Sequence, residues 1–331
     1  MLGVICDAGT EDEVTGVGRA VTNTLSTAPH WSFSTEYRWL NSDRDFIGDR
    51  DNNKARSLAQ NWRQNKVSTF DLSLGYQLTP RWTLSIGAPV THATRINWAG
   101  LTNPHLETHS FGFGDTSIGA SVWLLRPPPE NHWNMQVGFA LKLPTGNDNV
   151  TYNHTVTGAP ITPVAVDQSI QLGDGGWGFS LSYAIYKSIH RFTLFSSGKY
   201  LFNPMNTNGV KTGRGNPLEG IMSVADQYLW QGGIGYAVPR MRGLALTVAS
   251  RMDGVPARDL LGKSDGFRRP GFSVALGPGI QYMRGKDMWS FTYGYAVKRD
   301  RTRSTTDILS GTHGDAFFAD SVINAGYTRS F

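Results

Sequence analysis

Ser321-Val322-Ile323-Asn324-Ala325-Gly326-Tyr327-Thr328-Arg329-Ser330-Phe331 closes the sequence, and its side chains alternate. Successive residues of a strand point to opposite faces, so Ile323, Ala325, Tyr327 and Phe331 share one face. A strand that runs to a final aromatic suits a barrel whose last strand pairs with its first and leaves no open edge.

The same period recurs upstream. Trp31, Phe33, Thr35, Tyr37 and Trp39 lie opposite Ser32, Ser34, Glu36 and Arg38. Phe70, Leu72, Leu74, Tyr76 and Leu78 lie opposite Asp71, Ser73, Gly75 and Gln77. Twelve stretches of this kind can be read along the 331 residues, each with an apolar face and a small or polar one. They are joined by short links, such as Thr79-Pro80-Arg81, alternating with long ones at 41–66, 91–111, 144–176, 203–225, 253–270 and 300–317. The reading is an all-β fold, a transmembrane up-and-down antiparallel β-barrel of twelve strands over residues 31–331. Short periplasmic turns and long external loops are its signature, and an even strand count puts both ends on the short-turn side. Residues 1–30 show no alternation and are expected to be a periplasmic or lumenal segment. Cys6, the sole cysteine, is compatible with a lipidated residue or an ordinary one.

Composition agrees. Hydrophobic residues are only 39% of the chain, as expected when alternate residues face lipid, and no apolar run is long enough for a membrane helix. The net charge of +5 is scattered among loops rather than gathered on one face, which argues against nucleic acid and allows anionic partners. Trp31, Tyr76, Trp82, Trp133, Phe192, Tyr236, Tyr282, Trp289 and Phe331 fall on outward positions at the short-turn end, where an interfacial aromatic girdle would sit. A soluble barrel or sandwich would have to explain those aromatics and six long loops on one side.

Candidate lumen-lining residues are Glu36, Arg38, Asp71, Asp115, Gln136, Lys142, Arg191, Lys199 and Lys298. Asp115 and Lys142 are expected to pair near the external end, either as a register-fixing contact or as a solute contact. Inward glycines, among them Gly138, Gly277 and Gly279, either leave room for a solute path or relieve strain where strands coil. The acids Asp43, Asp45, Asp49 and Asp51 are expected in a solvated loop. His105 and His109 have metal-like spacing, but in a loop-like setting. No histidine of the eight stands in a serine-hydrolase-like strand motif, so no catalytic residue, metal or cofactor is expected.

Two resemblances sharpen the reading. The ending quoted above resembles the C-terminal signature that the bacterial barrel-assembly machinery reads. Gly114-Asp115-Thr116-Ser117-Ile118-Gly119, Leu141-Lys142-Leu143-Pro144-Thr145-Gly146-Asn147 and Gly173-Asp174-Gly175-Gly176-Trp177-Gly178 together are similar to the outer-membrane family named for the MetA pathway of phenol degradation. The likeness is best over residues 70–200. It implies a barrel in the Gram-negative outer membrane, a channel or transporter for small solutes such as aromatic or hydrophobic compounds, and no catalytic residues. The implied partners are outer-membrane lipid and lipopolysaccharide, a small-molecule solute and the assembly machinery. The structural alternative is a barrel that docks a partner protein through its loops or periplasmic side.

Overall fold

The computed structural model describes residues 30–99, 105–126, 131–154 and 161–331. Apart from His30, the N-terminal segment, with Cys6, lies outside the described residues.

Twelve antiparallel strands close into a barrel. They are β1 His30–Ile47, β2 Asn61–Gln77, β3 Trp82–Ala99, β4 in two pieces, Leu106–Phe113 and Thr116–Trp123, β5 Trp133–Leu143 and β6 Gly178–Ile189. The circuit continues through β7 Phe192–Phe202, β8 Gln227–Ala237, β9 Leu244–Val255, β10 Gly271–Arg284, β11 Asp287–Asp300 and β12 Ala316–Ser330. β12 pairs with β1 from Ser32↔Ser330 to Phe46↔Ala316. The Phe331 N–H donates to the Trp31 carbonyl at 2.8 Å, so the final residue is tied into the closing seam.

The faces are those of a membrane barrel. Phe70 is 49% exposed on the outside of β2, whereas its neighbour Asp71 is 4% exposed inside. Leu74, Leu84, Ile86, Phe139, Leu181, Leu246 and Phe291 are also exposed outward. In water each would forfeit about 1.5–3 kcal/mol of burial, a cost that vanishes when the belt faces hydrocarbon. No described helix is long and apolar enough to cross a membrane; the strands do the spanning.

The wall is uneven. β1, β2 and β3 are 18, 17 and 18 residues long, β5 to β9 only 11 or 12, and β10 to β12 14 or 15. The tall strands run on into 41–47, 61–66 and 91–99, which alternation had assigned to loops. Past the bilayer neither face meets lipid, so backbone pairing continues (Ser42↔Asn65, Asn65↔Arg95) without the apolar period that reveals it. The expected solvated acidic loop is corrected in part: Asp49 and Asp51 are exposed, but Asp45 is not. Asp45 is fully buried and accepts hydrogen bonds from Asn52 and Arg56, each at 2.7 Å. Likewise His109 lies in β4, bonded to Thr94 at 3.0 Å, and His105 stacks on Trp98.

Two apolar clusters sit inside the barrel rather than around it. One, near the short turns, gathers Trp123, Ala184, Tyr186 and Ala245. The other, toward the long loops, gathers inward Leu40, Val67 and Ala93 with Val166 and Ile170 from the loop between β5 and β6.

Candidate functional site

The lumen is the candidate site, and three layers build it. At mid-height Arg38 on β1 pairs with Asp71 on β2 at 3.6 Å, and both side chains are about 6% exposed. With Glu36, Gln231, Gln281 and Asn324 they line a cavity of about 100 Å³. Asn324 donates to Thr292 at 3.1 Å. Its own carbonyl oxygen and that of Gln281 are buried acceptors without a protein partner, as polar groups facing a hydrated space are. Charged residues on these inward faces are tolerable because each meets an opposite charge or a hydrogen bond.

Above this layer the three glycine-rich patches meet. Asp115 accepts from the Gly146 N–H at 3.0 Å and the Asp174 N–H at 3.3 Å. Lys142 lies 3.6 Å from Asp115 and also pairs with Asp174. A Cβ on Gly146 would come within 2.9 Å of the backbone of both Gly114 and Gly173, so three glycines are needed where three chain segments touch. This knot ties the base of loop 144–177 to the wall.

From the knot the loop turns into the barrel. The Gln171 carboxamide accepts from Val150 N–H at 2.8 Å and donates to the Val166 carbonyl at 3.1 Å. Val166 and Ile170, each no more than 1% exposed, pack on Leu40, Val67 and Ala93. Asp167 is the electrostatic latch. Arg269, from the loop after β9, donates to it through both Nη atoms at 2.9 Å, and Arg95 of β3 stands 3.4 Å away. Burial by itself would raise the Asp167 carboxyl, but Arg269 and Arg95 outweigh it and hold the group well below the usual carboxylate range. The neighbouring Arg268, fully buried, forms a fork onto Asp259 at 2.7 and 2.6 Å and reaches Ser223 at 2.6 Å, binding two further loops together.

At the short-turn end Trp123 and Tyr186 meet edge to face at 5.6 Å inside the lumen. Beside them Asn134, fully buried, accepts from the Leu125 N–H and donates to the Leu125 carbonyl, both at 2.9 Å. On the loop side, next to the inserted loop, lies a larger cavity of about 410 Å³. A smaller one of about 60 Å³ sits beneath the loops near Asp115 and Lys142.

Of the residues read from alternation, Arg38, Asp71, Asp115, Gln136 and Lys142 are buried inside, and Glu36 and Lys199 are half-buried there. Two lie elsewhere. Arg191 sits exposed in the tight turn between β6 and β7, beside His190 with its positive φ of 57°. Lys298 faces outward over the Phe272 ring, because the register slips between Val274↔Lys298 and Ala275↔Ala296. That one extra residue inverts the faces, and Arg299 takes the buried position instead. Trp31, Trp82, Trp133, Tyr282, Trp289 and Phe331 are exposed at the short-turn end, and Tyr76 and Tyr236 are half-exposed against Trp31 and Phe192. Alternation had the information for Trp123 and Tyr186, which occupy inward positions. It had none for Asp167, Arg269 or Ile170, whose placement is set by how loops fold back. Among the described residues no group of three metal-ligating side chains converges.

No family model and no curated protein matches the chain. Solved structures match its fold. An outer-membrane channel from Pseudomonas putida F1 superposes with a TM-score of 0.58 at 16% identity, covering 94% of this chain and 98% of that one. The β-domain of the Bordetella autotransporter BrkA gives 0.49 at 13% identity, covering 92% and 100%. The toluene transporter TbuX of Ralstonia pickettii gives 0.44 at 10%, covering 95% and 93%. The likeness to the first is one of fold. With the outward apolar belt, it identifies a bacterial outer-membrane β-barrel.

Proposed function

We propose that this barrel is a channel that passes small solutes across the outer membrane, and that loop 144–177 sets its constriction. The observation that carries the reading is the lumen's construction. Cavities of about 410, 60 and 100 Å³, each with polar side chains in its lining, occur at three heights of one closed barrel. They are separated by side chains and one folded-in loop, not by a continuous core. Twelve strands enclose a lumen that side chains can nearly fill, so passage depends on small shifts of that loop. In motif, the glycine-rich patches resemble the family of the MetA pathway. The knot of Gly114, Gly146 and Gly173 gives its three patches a common structural purpose, and aromatic or hydrophobic solutes follow from that likeness.

Single-channel conductance of the refolded full chain in a planar bilayer tests the proposal. Discrete small steps are expected, enlarged when the loop is released by Val166→Ser with Ile170→Ser. A folded barrel that stays silent in both forms overturns it.

A further inference from the structure

The cavity at the loop-side mouth has two unlike walls. One carries Arg63 of β2, Arg95 of β3 and Arg214 of the loop between β7 and β8, together with the Asp167 carboxylate that Arg95 and Arg269 already hold. The other is apolar, with Trp98, Leu106, Tyr152 and Val164. The imidazole of His105 stacks on Trp98 at 4.9 Å with the planes 5° apart, fixing the indole in place.

Among the described residues, the cations here outnumber the acids that pair with them. Arg56, Arg63, Arg95, Arg214 and Arg269 are linked through Asp45, Asp167, Asp315 and Glu219, so five guanidiniums meet four carboxylates. The carboxylates are largely committed. Asp167 is held by the two-pronged Arg269, and Asp315 is bonded to Arg56. Among the described residues Arg63 reaches an acid only at Asp315, 3.7 Å away, beyond hydrogen-bond range. Arg214 gives one N–H to Glu219 at 3.3 Å and lays its plane 3.6 Å from the Phe267 ring centre. Burial, and then the nearby Arg269, make its charge harder to hold. Two planar guanidiniums thus keep donors available to the same cavity.

An uncompensated positive charge in a partly desolvated site is costly until an anion meets it. The guanidinium fork matches a planar carboxylate two bonds at a time. The facing tryptophan and tyrosine favour a flat apolar body, and the volume suits a single ring. We propose that this vestibule binds small aromatic carboxylates, organic anions with one ring and one acid group. Their onward passage rests on the channel reading above; their binding does not.

The test uses refolded full-length protein in detergent and isothermal titration with benzoate, toluene serving as the uncharged comparator. Benzoate is expected to bind about tenfold or more tighter than toluene, the scale of one charge-assisted pair. Arg63→Gln and Arg214→Gln should each weaken benzoate by a comparable factor and leave toluene unchanged. Arg63→Lys, which keeps the charge and loses the fork, should fall between. Both arginines are partly exposed, and heat-modified gel migration verifies that each variant is folded. Benzoate binding no tighter than toluene, or binding unchanged in the Arg63→Gln/Arg214→Gln double variant, overturns the proposal. Benzoate binding without conductance overturns the channel reading alone. Conductance without benzoate binding overturns this site alone.

Discussion

Gly277 shows what the inward glycines are for. A Cβ there would collide with the Tyr293 carbonyl of the adjoining strand, and at Gly138 it would lie 2.5 Å from the Ser182 hydroxyl. These positions are close approaches between strands, although Gly277 also borders the mid-lumen cavity. Strain relief, not a cleared path, is the better account of both. Gly277→Ala is therefore expected to destabilise the barrel by about 1–3 kcal/mol, the usual cost of overpacking, read as a lower temperature of gel-mobility change. An unaltered midpoint would mean β10 and β11 can move apart freely. Arg268 offers the opposite kind of test. Asp259→Ala would leave its fully buried guanidinium with Ser223 alone, a loss of about 3–5 kcal/mol. Protease cleavage within loop 256–270 should become much faster than in the parent, while the barrel stays intact.

At the scale of elements, strands and loops were unequally legible. Within the bilayer, lipid outside and polar groups inside enforce period two, so β5, Trp133–Leu143, could be read within a residue. Above the bilayer β1 continues to Ile47 with polar residues on both faces and no pattern to announce it. The bulge near Lys298 is a single added residue that alternation alone cannot reveal. The inserted loop 144–177 was legible only at its glycine-rich ends. Its hold on the wall combines two buried aliphatic side chains with the Asp167 latch. A carboxyl depressed by its partners contributes stability that is complete above the unfolded value of about 3.9 and is lost as pH falls through the lower folded value. The latch itself should hence hold alike at pH 7 and pH 5 and release the loop only in stronger acid. Asp167→Asn, which removes the charge, should enlarge the conductance at pH 7. An Asp167→Asn conductance equal to that of the wild type at pH 7 would point to another group as the latch.

For the whole molecule, the lumen is narrowed at two separated heights, by Val166 and Ile170 of the loop between β5 and β6 above and by Trp123 with Tyr186 below. Two resistances in series predict a specific pattern. Trp123→Ala or the Val166→Ser/Ile170→Ser pair alone should raise conductance modestly, and all three together by more than the sum of the two increments. Simple additivity would mean that one of the constrictions carries no resistance. The seam between β1 and β12 has a further consequence, which belongs to time rather than space. Its partners, such as Ser34 and Thr328, are 294 positions apart along the chain and meet at 2.9 Å. Loop-closure entropy grows only logarithmically with that separation, so the distance itself costs little. The waiting does not: until residues 316–330 arrive, the nascent sheet carries two bare edges, one of them 18 residues long. Delivery of the last strand is then a race between zipping and misassembly, and the final fifteen-residue strand is the chain's clock.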